Sequence, residues 1–497
     1  MDDTSSAADS GLTEPEPSPA RVGPRAVRNS ALILTVRVAS RLVALVTVVT
    51  MGNAIGDSRF GRLQTAVTYG LLISVIADLG LSSLYVREGA RHPDSINRFL
   101  NTVMSAKVLL LVACLPLLAG VLYVAGLTSL LLPTFAVLVL SGYSLLLRNT
   151  LYALQRLGFE IASIIPESLV LLVLVIAGAA THQGVAYFLW AYAISYAFTA
   201  LYFAVVLIAT GIIRPRWEMD LGLLRPWLMA GLPFAITYIF TTVYFKVDIP
   251  ILQRFRSYQE VGWYSLAYKP FESLLFVPVT LRAVIFPIMS VYHRATPDRV
   301  APLAGQLFKV LAALGWPLSV GTFLLAPQLN EVFHLFPQSA ASLRILALAI
   351  GFMFVDNTFA ATLNAIDRQK VFAYIALAGL LINVGLNLAL IPPFGYLGAS
   401  WAVVIAEMAL VIIGWFVLRS QLAALAVWRL SWRIVVAGLT MGLFLYLIHP
   451  LGRLHLVVAI VAAAVIYIAA LALVGAVNRD ERRLLRSALA RRQGTTR

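Results

Sequence analysis

Apolar runs of about 20 residues recur along almost the whole chain, each long enough to cross the ~30 Å hydrocarbon core of a bilayer as one helix. The 497 residues are 60% hydrophobic and 12% charged, with a mean hydropathy of +0.86, unlike soluble globular domains. Backbone groups in hydrocarbon must bond to one another, which a helix achieves within one segment. The pattern predicts an all-α, polytopic membrane protein and excludes a soluble enzyme.

A hydropathy window predicts about 14 membrane spans. They are expected near residues 29–51, 64–85, 100–125, 128–147, 161–181, 185–209, 228–252, 261–288, 303–328, 343–365, 371–392, 397–418, 432–450 and 454–477. Lys and Arg concentrate in alternate loops and in the C-terminal tail, and such loops face the cytoplasm. Both termini are therefore expected to be cytoplasmic. The net charge of +15 follows from this bias and does not indicate nucleic-acid binding.

An internal repeat divides the predicted spans into two groups of six. Residues 151–156 (LYALQR) reappear as residues 363–368 (LNAIDR), and Phe60-Gly61 before span two matches Val261-Gly262 before span eight. An even number of spans gives both copies the same orientation. Parallel repeats of this kind place a substrate site between two bundles that rock against each other.

The repeat and the charge pattern predict five parts of the chain. We expect a disordered cytoplasmic tail over residues 1–28, an N-lobe over 29–209 and a C-lobe over 210–420, each with six spans. Two extra C-terminal helices are expected over 421–477, followed by a basic cytoplasmic tail over 478–497. The predicted fold is two pseudo-symmetric six-helix lobes around a central cavity, plus the appended pair.

Basic side chains inside the predicted spans indicate a polar interior, because a charge at bilayer depth needs a partner or a water-filled cavity. Five are candidates for the wall of a substrate cavity: Arg37, Arg41, Lys246, Lys269 and Arg282. Guanidinium groups bind phosphate oxygens bidentately, which favours an anionic cargo. Snorkelling to the surface is the alternative for Arg37 and Arg282, and a local pair with Glu272 for Lys269. Lys107 and Lys309 lie near inner span ends, where snorkelling is expected.

Carboxylates in or beside the spans are candidates for coupling transport to a proton or sodium gradient. They are Asp78, Glu167, Asp248, Glu272, Asp356 and Glu407. Structural pairing with the basic side chains is the alternative for each. No metal or organic cofactor is expected, because the histidines are scattered and Cys114 is the only cysteine. No phosphate-binding loop and no HExxH motif is present.

Several segments resemble the polysaccharide-biosynthesis (O-antigen-type) flippases of the multidrug/oligosaccharidyl-lipid/polysaccharide exporter superfamily. They are residues 55–63 (IGDSRFGRL), 78–81 (DLGL), 246–248 (KVD), 261–269 (VGWYSLAYK) and 390–399 (LIPPFGYLGA). The resemblance implies a two-lobed transporter of the bacterial cytoplasmic (inner) membrane that moves an undecaprenyl-diphosphate-linked oligosaccharide between leaflets. It also implies glycosyltransferases and a polysaccharide polymerase as functional partners.

Three alternatives remain open at this point. A lipid II flippase would also need a cationic interior. A multidrug antiporter of the same superfamily would favour carboxylates and aromatic side chains, because its usual cargo is cationic. A membrane enzyme would place catalytic groups on a sizeable outer loop, whereas the longest outer stretch, about residues 327–342, has only Glu331 and His334.

Overall fold

The computed structural model describes residues 24–422, 427–448 and 453–475, and every regular element in these ranges is a helix. The α-helices are α1 (Pro24–Ile55), α2 (Asp57–Asp78), α3 (Leu81–Arg91), α4 (Ile96–Val124), α5 (Leu131–Ala153), α6 (Leu157–Ala180), α7 (Val185–Ala209), α8 (Leu221–Lys246), α9 (Asp248–Phe255), α10 (Tyr258–Leu274), α11 (Phe276–Ala295), α12 (Val300–Val332), α13 (Ser339–Ala365), α14 (Gln369–Leu422), α15 (Val427–Ile448) and α16 (Arg453–Leu473). The predicted all-α fold is confirmed. The predicted tail over 478–497 lies outside the described residues, as do residues 1–23, whereas residues 24–28 begin α1.

Twelve helical segments of the described residues are long and apolar enough to cross a membrane, so the chain is a multi-pass membrane protein. The predicted count of 14 is not confirmed. The helix at the predicted seventh span, α8, is absent from this set, and predicted spans eleven and twelve both fall within α14. The two arms of α14 meet at Gly395, whose φ of 59° is a left-handed conformation that glycine adopts without steric cost.

The internal repeat has the same backbone conformation in both copies. Helices α5 and α13 each end in a turn with one left-handed residue, Gln155 at φ 56° and Asp367 at φ 58°. In both turns the next N–H donates at 2.9 Å to the carbonyl five residues earlier, a common way of closing a helix. Short 3₁₀ helices, Pro93–Ser95 and Pro297–Arg299, precede α4 and α12 at matching places. The duplication read from the sequence is therefore also structural.

Two helical bundles and an appended hairpin build the described part of the molecule. In the N-lobe, α1 packs on α6, and α5 packs on α7; in the C-lobe, α13 packs between α12 and α14. Helices α15 and α16 pack on each other and against α12, where the Tyr467 hydroxyl donates to the Ala313 carbonyl at 2.9 Å. The extra pair of helices is therefore attached to the C-lobe.

The most extensive contact between the lobes joins α2 and α10. Gly61 and Gly262, which match in the internal repeat, bring the two backbones together: a Cβ on Gly61 would overlap the Tyr258 carbonyl, and one on Gly262 would overlap the Asp57 carbonyl. Small residues permit such close helix approach. The Trp263 indole N–H also donates to the Asp57 carboxylate at 2.9 Å. In the predicted orientation, this glycine contact closes the space between the lobes at its outer end.

The linker between the lobes, residues 213–220, is extended and lies along α4. Alternate linker N–H groups donate to side-chain oxygens spaced four residues apart on α4. The pairs are Arg214 with Asn97 at 2.7 Å, Arg216 with Asn101 at 3.2 Å and Glu218 with Ser105 at 3.2 Å. Two extended residues advance about 6.6 Å and four helical residues about 6 Å, so the two repeats stay in register. The linker is therefore bound to the surface of the N-lobe.

Helix α8 begins in the N-lobe and ends in the C-lobe. At its start, Asp220 pairs with Arg98 of α4 and accepts the Leu223 N–H at 3.1 Å as a cap. The Arg98 guanidinium, together with this backbone hydrogen bond, holds the pKa of Asp220 below its usual value of 3.8. One turn later, Trp227 packs on Phe99 with ring centroids 4.9 Å apart. Helix α8 therefore packs against N-lobe helices at its start and also contacts α14 of the C-lobe.

Candidate functional site

Arg41 lies on the wall of a cavity between the two lobes. The cavity has a volume of about 240 Å³; α1 forms one side and α10 to α13 form the other. Apart from Arg41, Ser273 and Thr322, its lining side chains are apolar. The Arg41 side chain is exposed and makes no ion pair with the described residues. One guanidinium among apolar walls fits a molecule with an anionic head and a hydrocarbon chain.

Lys246 and Lys269 share the carboxylate of Glu272. The Lys246 ammonium lies 2.9 Å from Oε1, and the Lys269 ammonium lies 3.0 Å from Oε2. Lys269 and Glu272 are neighbours on one face of α10 because they are three residues apart, whereas Lys246 comes from the last turn of α8. The Lys246 ammonium also lies 5.8 Å from the centre of the Tyr268 ring. These three charged residues are called the lysine–glutamate cluster below.

Two ion pairs line the N-lobe. The Arg37 guanidinium donates to the Tyr152 hydroxyl at 3.1 Å and to the Glu160 carboxylate at 3.4 Å. The Arg148 guanidinium lies 2.6 Å from the Glu167 carboxylate. Predicted span four ends at residue 147 and leaves Arg148 in a cytoplasmic loop. In the structure α5 continues to Ala153 and includes Arg148.

Two tyrosines of α7, Tyr192 and Tyr196, share a helix face because they are four residues apart. Both side chains are half-buried. Tyr192 lies near Glu272 of the C-lobe, and Tyr196 lies near Glu167 and Arg148 of the N-lobe.

A second polar group lies within the C-lobe. The Tyr244 hydroxyl donates to the Glu407 carboxylate at 2.9 Å, and Glu407 also interacts electrostatically with Asp356. Arg282 of α11 interacts with Asp356 in turn. Glu407 is buried and Asp356 is half-buried, and their predicted role in ion coupling stays a prediction.

Asp78 and Lys107 form a buried ion pair in the N-lobe. The two charged groups lie 2.9 Å apart, and the Lys107 side chain is only 4% exposed. The Ser82 hydroxyl and N–H also donate to Asp78, where α2 ends and α3 begins. The prediction that Lys107 snorkels to the inner surface was therefore wrong, because its partner on α2 keeps it buried.

Asp248 is likewise held by its surroundings at the start of α9. It is 3% exposed, accepts the Ile249 N–H at 2.9 Å and accepts the Tyr264 hydroxyl of α10. The carboxylate thus joins α9 to α10. The ion-coupling role predicted for Asp248 stays a prediction.

The five predicted cavity cations do not converge on one point. Lys246 and Lys269 both contact Glu272, and Arg282 lies near Asp356. Arg41 lines the cavity between the lobes, and Arg37 pairs with Glu160. Their roles in binding cargo stay predictions. Within the described residues, no group of three or more His, Cys, Asp or Glu side chains is placed to hold a metal ion.

The sequence reasoning missed three residues of this region: Arg148, Tyr192 and Tyr196. Hydropathy ended span four before Arg148, because a charged residue lowers the window average at a helix end. Tyr192, Ser195, Tyr196 and Thr199 form a polar stripe at helical spacing on α7, which was a usable signal.

The described residues form a two-lobed bundle of membrane-spanning helices with charged side chains where the lobes meet. The sequence model described as "Polysaccharide biosynthesis protein" matches residues 26–293, more than half of the chain. The protein belongs to that family. The model described as "MatE" matches residues 233–389.

Solved structures with a similar fold include a flippase and two transporters. A lipid II flippase MurJ in an inward closed conformation is 15% identical, with a TM-score of 0.75 over 88% of this chain and 98% of that one. An inward-facing multidrug resistance MATE family transporter of the MOP superfamily is 15% identical, with a TM-score of 0.60 over 80% and 98%. A MOP superfamily transporter from Pyrococcus furiosus is 15% identical, with a TM-score of 0.55 over 80% and 95%. At this identity the likeness shows the fold alone.

One curated relative matches a short part of the chain. The uncharacterized membrane protein MJ1375 of Methanocaldococcus jannaschii is 35% identical over 80 residues, which are 16% of this chain. The match spans 19% of that protein's own length.

Proposed function

We propose that this protein moves an undecaprenyl-diphosphate-linked oligosaccharide across the bacterial cytoplasmic membrane, as a step in cell-surface polysaccharide biosynthesis. The Arg41 cavity carries the proposal. It opens between the lobes, offers apolar walls to a polyprenyl chain and sets one guanidinium among them for the diphosphate. Membership in the polysaccharide biosynthesis protein family supports the same cargo.

The proposed transport is by alternating access. Diphosphate and sugar groups lose their hydrogen bonds to water in hydrocarbon, so they need a polar path. Arg37, Arg41 and the lysine–glutamate cluster supply cations on both sides of the seam. Rocking of the two lobes would expose this path to each side in turn, with the glycine contact of α2 and α10 closing the outer end.

The proposed driving force is a proton or sodium gradient. Asp356 and Glu407 are the preferred coupling residues, because neither forms an ion pair within 4 Å among the described residues. Asp78 and Glu167 already have close cationic partners. Collapsing both gradients in vesicles should slow transport, and an unchanged rate would reject coupling through these acids.

Lipid II is the second candidate cargo, because it carries the same diphosphate and polyprenyl groups and fits the Arg41 cavity equally well. A cationic drug fits less well, since Arg41 would repel it. Functional partners of the proposed flippase are glycosyltransferases that build its cargo and a polymerase that uses it.

The test is flipping of a fluorescent undecaprenyl-diphosphate oligosaccharide in proteoliposomes. Loss of a hydrogen bond to a charged group is worth about 1.5–3 kcal/mol, so Arg41→Ala should slow flipping by about 10- to 100-fold. Arg41→Lys should keep part of the rate, because lysine binds phosphate as a point charge. Arg419→Ala, an exposed charge at the inner end of α14, is the matched control. If Arg41→Ala flips the lipid at the wild-type rate, Arg41 is not part of the cargo site. If the protein flips lipid II faster than the oligosaccharide-bearing lipid, lipid II is the cargo.

A further inference from the structure

Glu272 occupies the place that an anion bound by Lys246 and Lys269 would take. Each of its two oxygens is used by a different lysine, at 2.9 and 3.0 Å. Carboxylate and phosphate oxygens accept the same ammonium hydrogen bonds, so a diphosphate and Glu272 compete for the same donors.

The cluster lies on α8 and α10, two helices that each pack against helices of both lobes. The side chain of Glu272 is 32% exposed, and those of Lys246 and Lys269 are 16% and 23% exposed. Among the described residues, Glu272 is the only carboxylate in an ion pair with either lysine.

Charge balance sets how strongly such a cluster holds an anion. Two lysines and one carboxylate carry a net charge of +1, whereas the lysines alone would carry +2. A transport site must bind cargo well enough to load it and weakly enough to release it. A carboxylate that returns to the lysines as the headgroup leaves would speed that release.

We propose that Glu272 is an internal counter-ion that competes with the anionic headgroup of the cargo for Lys246 and Lys269. The role rests on the proposed function, because it needs an anionic headgroup in the seam. It is an alternative to the ion-coupling role predicted for Glu272.

The test is equilibrium binding of undecaprenyl diphosphate to the purified full chain in nanodiscs. Glu272→Gln removes the competing charge and keeps the side-chain shape, so binding should tighten by at least tenfold. Flipping of the oligosaccharide-bearing lipid in proteoliposomes should slow by at least threefold, because release becomes harder. A carboxylate that binds cargo, or one that only stabilises the fold, would give weaker binding instead.

Two further variants separate the counter-ion role from a general effect of charge. Glu88→Gln is the matched control, because Glu88 also lies 3.2 Å from two basic side chains, Arg87 and Arg91, but on α3 away from the seam. It should leave binding unchanged. Lys269→Met combined with Glu272→Gln restores the net charge of +1, so its affinity should return to within threefold of wild type.

The outcomes separate the two proposals. Wild-type binding that is no tighter for undecaprenyl diphosphate than for uncharged undecaprenol would overturn the proposed function and the counter-ion role together. Clear wild-type binding with unchanged or weaker binding by Glu272→Gln would overturn the counter-ion role alone. Equal tightening by Glu88→Gln would also overturn it, because the effect would then be one of overall charge.

Discussion

At the scale of single residues, the buried pair of Lys107 and Asp78 shows how a charge is kept inside a helix bundle. Removing one partner of a buried ion pair costs about 3–5 kcal/mol, because the other charge stays buried without compensation. We expect Lys107→Met to lower the free energy of unfolding by about that amount, measured by SDS titration in mixed micelles. The Asp78 side chain is only 11% exposed, so solvent offers the orphaned carboxylate little stabilisation.

The control is the double variant Lys107→Met with Asp78→Asn, which removes both charges. It should regain at least half of the lost stability, because no uncompensated charge is left. A double variant as unstable as the sum of the two single variants would show that the pair contributes no coupling energy.

A sequence gives the position of a charged residue along the chain, but it says little about which residues of other helices lie next to it. The pairing of Lys269 with Glu272 was foreseeable, since residues three apart meet on a helix. The burial of Lys107 was not, because its partner Asp78 lies on another helix. The second lysine at Glu272 was missed for the same reason, as Lys246 reaches it from α8.

At the scale of elements, the linker over residues 213–220 depends on side chains of α4. Asn101 holds it at two points, since its amide donates to the Arg214 carbonyl and accepts the Arg216 N–H, both at 3.2 Å. Each hydrogen bond contributes about 1 kcal/mol, so Asn101→Ala should cost about 2 kcal/mol in linker binding. Trypsin should then cut after Arg216 about 10- to 30-fold faster. Mass spectrometry of the fragments measures this rate.

The matched control for the linker is Asn364→Ala. Asn364 bonds only within its own helix, to the Ala360 carbonyl at 2.7 Å, so cleavage after Arg216 should stay at the wild-type rate. An unchanged cleavage rate in Asn101→Ala would mean that the side-chain ladder on α4 does not hold the linker.

The sequence predicts helices and turns where the pattern that encodes them is local. Hydropathy located most helices, and the LYALQR and LNAIDR segments identified turns that proved to have the same conformation. The breaks at Val247 and Leu275, which separate α8 from α9 and α10 from α11, each lie three residues before a proline, Pro250 or Pro278, which has no N–H for the last carbonyl of the preceding helix. The division of α8 between lobes also depends on packing against distant residues such as Phe99, which no local pattern encodes.

At the scale of the whole molecule, the proposed alternating access would require the lobes to separate and meet again at the contact of Gly61 and Gly262. A Cβ at Gly262 would overlap the Asp57 carbonyl, which is backbone and cannot move aside alone. We expect Gly262→Ala to hold the outer ends apart and to slow oligosaccharide flipping by at least tenfold. Spin labels at Arg59 and Gln259, in a Cys114→Ser background, should show a longer distance between α2 and α10 by pulsed electron resonance.

Gly120→Ala in α4 is the matched control for this closure. A Cβ there would meet nothing within 4 Å, and alanine is favoured over glycine in a helix by about 0.5–1 kcal/mol. Gly120→Ala should therefore keep both the label distance and the flipping rate. Because the same helix preference applies at Gly262, a loss there reports the clash between lobes and not a weakened helix. Wild-type distance and rate in Gly262→Ala would show that the lobes do not need this close approach, and the outer closure would have to be sought elsewhere.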